Sequence, residues 1–128
     1  MWTTTTLSII FWSAFWSAQY GVDLPFALSV AHVESRAPGH EFRIGLLGGR
    51  WYGPYNIDAG FKFRWPDIDT IRGNARAGVR ALRGRDKRQI LRNYNRAFTQ
   101  AYYQAVMRAE RRYRKVMRGF YFGNGGNS

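Results

Sequence analysis

The chain has 128 residues, 45% hydrophobic and 17% aromatic: enough for one ordinary domain with a real core, too few for two. It contains no cysteine, which excludes a disulfide framework, a cysteine zinc site and a cysteine nucleophile. The formal net charge is +12, unevenly placed: residues 1–35 hold Asp23 and Glu34 but no Lys or Arg, so they carry −2 and the remainder +14.

Leu7 to Trp16 is an apolar run with no basic residue before it, so it lacks the positive n-region of a secretory signal. It is also shorter than the roughly 20 apolar residues that span a bilayer. Residues 7–20 read as a buried or half-buried helix closed at Gly21, with membrane contact as the competing reading. Asp23 is a candidate N-cap for a second helix, with Pro25 in its first turn, running to about Ser35; Ala37-Pro38-Gly39 ends it. Residues 39–60 hold six glycines and Pro54, and read as loop with room for a short hairpin, studded by Phe42, Trp51, Tyr52 and Tyr55. Such a loop suits a flat sugar ring, or is simply irregular with some core aromatics. Residues 67–84 read as a third helix, with Ile71, Ala75, Val79 and Leu82 on one face. Asp86 caps a helix through Tyr94, and a last helix runs from about Thr99 to Arg118 with Tyr102, Val106, Tyr113, Val116 and Phe120 as its apolar stripe. The class is all-α, one domain over residues 1–122 that opens with an apolar helical segment within 1–17 and ends in a flexible tail, 123–128.

Eight carboxylates can be weighed one by one. Asp23, Asp67, Asp69 and Asp86 lie at expected helix starts, where capping explains them. Glu110 lies among arginines and reads as an exposed ion-pair partner of little weight. Glu34 shares a helix face with Ala27 and Ala31, which packs inward or lines a cleft. Burial and the negative end of its helix both favour the protonated form, which a general acid needs. A structural pair with an arginine is the plainer explanation. His32 lies on another face and reads as structural. His40 is a loop residue with no partner to name. Two histidines make no metal signature, and no cofactor is expected.

Several motifs stand in a familiar order. Ala31-His32-Val33-Glu34-Ser35 resembles the A-x-x-E-S core of the soluble lytic transglycosylase and goose-type lysozyme family, and Tyr20 to Pro25 resembles that family's lead-in to its catalytic helix. Gly53-Pro54-Tyr55-Asn56-Ile57 stands where the family has Gly-Leu-Met-Gln-Ile, with Asn56 in place of Gln. Asn74, Gly78 and Leu82 resemble the N-x-x-G-x-x-x-L helix, with Ala75 in place of Ile. Tyr94-Asn95 resembles the A-Y-N-x-G motif, with Arg96 in place of Gly. Tyr103 falls where a tyrosine opens the last helix. The likeness covers roughly residues 18–116; each motif alone is weak, and their joint order is stronger.

The resemblance implies a lysozyme-like fold and cleavage of the β-1,4 bond between N-acetylmuramic acid and N-acetylglucosamine, as an anhydro-forming lyase or a hydrolase. It implies Glu34 as acid/base and Tyr94 as the tyrosine that hydrogen-bonds it, so that Tyr94→Phe lowers rate more than stability. Ser35, Tyr52, Tyr55, Asn56, Asn95 and Tyr103 would contact sugar. Asp58 is a candidate for positioning water, though a solvated loop Asp is the simpler reading. The partner would be peptidoglycan glycan strands. The small size and missing export signal resemble wall-degrading enzymes that phages carry in the virion or release to the cell wall, the apolar N-terminal segment being a candidate for virion or membrane association. The rivals are a nucleic-acid-binding module, which explains the arginine-rich last helix but not Glu34, and a membrane-active phage protein led by residues 7–16. Arg108, Arg111, Arg112, Arg114 and Lys115 are expected to face solvent and draw the protein to an anionic envelope.

Overall fold

A run of seven consecutive buried residues, Pro25 to Ala31, makes helix α2 (Leu24–Ser35) the centre of the molecule. In the computed structural model, which describes residues 4–35, 46–47 and 51–122, α2 packs against both α1 (Thr4–Tyr20) and α5 (Gln100–Phe122). Helix α3 (Ile71–Ala81) lies mainly on α1 and touches α2, and the short α4 (Lys87–Tyr94) precedes α5. Ile9, Leu28, Val30, Val79, Leu82, Leu91 and Val106 share the core, so residues far apart in sequence close one apolar cluster. Over the described residues the chain is mostly helical, in keeping with the all-α expectation.

The glycine-rich segment carries more order than a plain loop. β1 (Leu46–Leu47), β2 (Trp51–Tyr52) and β3 (Ile57–Asp58) form a three-stranded antiparallel sheet in the order β1-β2-β3. Leu46 pairs with Tyr52, and Tyr52 with Ile57. A 3-10 turn, Ala59–Phe61, follows. Phe42, His40, the side chains of Tyr52 and Phe120, and the tail 123–128 lie outside the described residues.

Helix boundaries follow local chemistry, with some corrections. Gly21 takes a φ of 68° and ends α1, as its lack of a Cβ allows. Asp86 caps α4, its carboxylate accepting from the N–H of Arg88 and Gln89. Helix α3 begins four residues later than expected, because Thr70 is its cap: its hydroxyl accepts from Gly73 N–H at 3.0 Å. Asp67 and Asp69 are therefore not caps of α3; Asp69 instead pairs with Lys62 at 2.8 Å, which holds its carboxyl below the usual range. Asp23 precedes α2, and its carboxylate accepts from Arg114 at 2.6 Å.

The inward face of α5 is Val106, Ala109, Tyr113 and Met117, and Val116 is 38% exposed. The expected stripe drifted off this face by one residue. Glu110 is not an exposed partner: it is buried and held by Lys87 at 2.9 Å and Arg114 at 2.7 Å. Arg114 bridges Asp23 and Glu110 and so ties α5 to the start of α2, whereas Arg111 and Arg112 face solvent.

Candidate active site

Glu34 sits half-buried in the last turn of α2, on the side of Ala27 and Ala31, which are fully buried. Among the groups that meet its carboxylate are two uncharged donors. The Tyr102 hydroxyl, from the first turn of α5, donates to Oε2 at 2.5 Å. The Asn56 amide donates to Oε1 at 3.2 Å. With one oxygen held from α5 and the other from the β2–β3 turn, the plane of the carboxyl group is set by two elements remote in sequence.

Asn56 reaches Glu34 because of its turn. The N–H of Asn56 donates to the carbonyl of Gly53 at 3.0 Å, closing a tight turn in which Gly53 has a φ of 66° and Asn56 a φ of 55°. Asn is among the few non-glycine residues that adopt this left-handed region readily. Three helices grip the turn. From α3, Asn74 is 1% exposed; its Oδ1 accepts from Tyr55 N–H at 2.9 Å while its Nδ2 donates to the Ile68 carbonyl at 2.9 Å. One helical turn on, Gly78 leaves the space filled by the Tyr55 ring, and a Cβ there would collide with it. From α1, Ser13 shares a 2.7 Å hydrogen bond with the Tyr55 hydroxyl. From α4, the Tyr94 hydroxyl donates to the Tyr55 carbonyl at 2.5 Å. Asn74 and Gly78 thus act together as a socket for the Tyr55 side of the turn, and through it they aim Asn56.

The expected site residues divide accordingly. Glu34 and Asn56 come together. Asn95 stays near: it lies beside the Tyr102 hydroxyl, and its Oδ1 accepts from Ala97 N–H at 2.9 Å. Tyr94 does not hydrogen-bond Glu34; its hydroxyl is committed to the Tyr55 carbonyl, so its part is to position the turn. Tyr55 is fully buried against Ser13 and Gly78 and offers no face to a sugar. Ser35 is 1% exposed and donates to the His32 carbonyl, turned into its own helix rather than toward a ligand. Tyr103 packs beside Phe98 with the Arg88 guanidinium 4.9 Å from its ring centre. It lines an open groove on α5 with Gln104, Met107 and Arg108. Asp58 accepts from Gly60 N–H at 2.8 Å in a local turn. Tyr52 belongs to β2 by its backbone, and its side chain lies outside the described residues. His32 shares a 3.0 Å hydrogen bond with the Tyr113 hydroxyl on α5, a structural contact.

Tyr102 is the residue that sequence reasoning missed as a site residue. The periodicity places it in the apolar stripe of the last helix, and the motif points to its neighbour Tyr103. The signal was the stripe itself: a tyrosine on the inward face of the first turn must find a partner for its hydroxyl.

Electrostatics keeps the tyrosines neutral. Burial pushes the Tyr102 hydroxyl far above its ordinary value, and the Glu34 charge and the hydrogen bond to it push further. Tyr94 is raised well above 10.0 by burial first and then by the Glu34 charge. Tyr102 therefore remains a proton donor in its hydrogen bond at any pH near neutrality. A phenol can also turn to accept, so it tolerates either protonation state of Glu34. The arrangement holds one carboxyl group in a fixed plane. Among the described residues, no group of three or more His, Asp or Glu side chains is placed to hold a metal ion.

No family model, curated protein or solved structure matches the chain.

Proposed function

We propose that the chain cleaves the β-1,4 linkage between N-acetylmuramic acid and N-acetylglucosamine in peptidoglycan, using Glu34 as its acid/base on a lysozyme-like helical scaffold. The observation that carries this reading is the Glu34 carboxyl held by Tyr102 on one oxygen and Asn56 on the other. The order of motifs in the sequence supports it independently, since Asn56, Asn74, Gly78 and Tyr94 all bear on one turn and its contact with Glu34.

The chemistry follows from one carboxyl group. Protonated Glu34 gives its proton to the glycosidic oxygen as the bond from that oxygen to C1 breaks, and positive charge develops on the muramic acid ring. The substrate's acetamido oxygen can share that charge, so a second carboxylate is not required as nucleophile. The Glu34 carboxylate so formed is stabilised by the hydrogen bonds from Tyr102 and Asn56. It then takes a proton from the attacking hydroxyl. If that hydroxyl is the sugar's own 6-hydroxyl, the product is an anhydromuropeptide; if it is water, the reaction is hydrolysis, with Asp58 as the candidate to position it. The resemblance to phage wall-degrading enzymes suggests action from a virion or on release to the cell wall.

Digestion of purified sacculi followed by mass spectrometry of the muropeptides tests this. The expected products end in anhydro- or reducing muramic acid, and they disappear with Glu34→Gln. Intact sacculi after digestion with the folded wild-type protein would refute the reading.

A further inference from the structure

Helix α1 is packed the opposite way round from an ordinary surface helix. Thr6, Ile9, Ser13 and Ser17 face inward, while Leu7, Phe11 and Phe15 are 49%, 60% and 40% exposed. The three outward residues are spaced by four, so they form one stripe along the helix. No charged residue interrupts α1. The small inward side chains let α3 approach closely, which leaves the large ones outside.

The stripe continues without a break into a second row of rings. Phe11 meets Trp12 edge-on at 5.1 Å, Trp12 meets Phe15 at 5.6 Å, Phe15 meets Trp16 at 4.8 Å, and Trp16 stacks on Tyr20 at 5.9 Å. Arginines of α3 and its C-terminal flank lie over that second row. Arg72 is 5.2 Å from the Trp12 ring centre, Arg76 5.3 Å from Trp16 and 5.0 Å from Trp65, Arg80 5.2 Å from Trp65, and Arg83 5.8 Å from Tyr20. Among the described residues none of these four arginines is paired with a carboxylate. In the loop that carries Trp65, Phe61 and Phe63 are 51% and 90% exposed.

We propose that this face docks on the surface of an anionic lipid bilayer. Its three parallel strips match the three layers such a surface presents. Leu7, Phe11 and Phe15 would enter the acyl boundary, Trp12 and Trp16 would sit at headgroup level, and the arginines, their stems laid along the rings, would meet lipid phosphates. Helix α1 lies in the plane of the surface, since no described helix is long and apolar enough to cross a membrane. A nucleic acid would use the arginines but offers nothing to the phenylalanines. A second copy packed stripe to stripe would bury the phenylalanines but bring two rows of unpaired arginines together. The proposal is independent of the glycan-cleaving reading, because it uses none of the Glu34 residues.

Flotation of the full chain with phosphatidylcholine vesicles, with and without phosphatidylglycerol, tests it. The wild-type protein should float with phosphatidylglycerol vesicles, less well at high salt, and brominated lipid should quench its tryptophan emission. Phe11→Ser with Phe15→Ser alters exposed positions, so the fold should survive while affinity falls about tenfold or more. Arg72→Gln with Arg80→Gln should remove the preference for phosphatidylglycerol. Equal flotation of the wild-type and the phenylalanine variant would overturn the proposal. So would a wild-type dimer that the same variant turns into a monomer, or duplex DNA bound more tightly than vesicles and unaffected by that variant.

Discussion

Glu34 is half-buried and Glu110 buried, and each is hydrogen-bonded through both oxygens, but by different kinds of donor. Glu110, in the middle of α5, is clamped by Lys87 and Arg114, two cations that tie α4, α5 and the start of α2 together. Glu34, at the end of α2, is met by a phenol and an amide, which set the direction of the carboxyl group. The cation clamp ties separate elements together; the phenol and the amide fix the direction of the Glu34 carboxyl group. The sequence sets Glu34 apart by its Ala27–Ala31 face and reads Glu110 as an exposed ion-pair partner; only the folded chain shows that Glu110 is buried.

Exchanging each glutamate for glutamine should show the contrast most strongly. Glu34→Gln should lower glycan cleavage by about 10²–10⁴-fold with little change in thermal stability, since general acid/base catalysis has that size. Glu110→Gln should leave the rate of wild type. Comparable losses of rate in both variants would erase the distinction between the two sites.

The two tyrosines sharpen it next. Tyr102→Phe removes a hydrogen bond to a carboxylate, an interaction worth about 1.5–3 kcal/mol, so kcat should fall roughly 10- to 100-fold. Tyr94→Phe removes a hydrogen bond to the Tyr55 carbonyl and should cost about 1 kcal/mol of stability, with a smaller loss of rate. This reverses the order that the family resemblance implies, in which Tyr94 is the partner of Glu34. Steady-state kinetics and melting curves of both variants decide it, and a larger rate loss for Tyr94→Phe would restore the earlier assignment.

On stability, Glu110→Gln should cost about 1–2 kcal/mol, a modest figure because Lys87 and Arg114 remain 38% and 41% exposed and can be hydrated when the carboxylate goes. The smallest effect near neutrality comes from pH. Burial raises the hydroxyls of Tyr55, Tyr94 and Tyr102 above their ordinary value of 10.0 in the folded state. The stability linked to them is therefore complete below about pH 10 and declines as the pH climbs beyond it. Melting temperature against pH, recorded with tyrosinate absorbance, should show ionisation of these tyrosines coinciding with unfolding. Gradual ionisation near pH 10 in a still-folded chain would mean that their hydroxyls are open to solvent.

How much of this was legible beforehand depends on the range of the interaction. Gly21 as a helix stop, Asp86 as a cap, α2 ending near Ser35 and Glu34 on the Ala27–Ala31 face were all readable, because each depends on residues within a turn or two. Thr70 as the cap of α3 was missed because Asp67 and Asp69 competed for the same role, and only the path of the preceding loop selects among them. Motif order drew attention to Asn56, Asn74, Gly78 and Tyr94 without saying what they do: Tyr94 and Tyr55 proved to be supports for a turn, and Tyr102, one residue from the expected tyrosine, reaches the carboxylate.

Helix α1 shows the same division most clearly. Its apolar character, its lack of charge and its end at Gly21 are properties of the local sequence. Which side it buries is not, because large and small side chains alternate around the whole helix and either face could have packed. Contact with α3 chose the side of Ser13 and Ser17, since Ser13 has the Tyr55 hydroxyl to meet and the arginines of α3 need the tryptophan rings beside them. Local periodicity thus determined where most of the helices run and that Glu34 lies on the Ala27–Ala31 face, but not that Glu110 is buried. Tertiary packing determined what that carboxylate touches and which aromatic residues are left facing outward, because a hydrogen bond or a ring contact between residues 42 or 68 positions apart exists only once the chain has closed on itself.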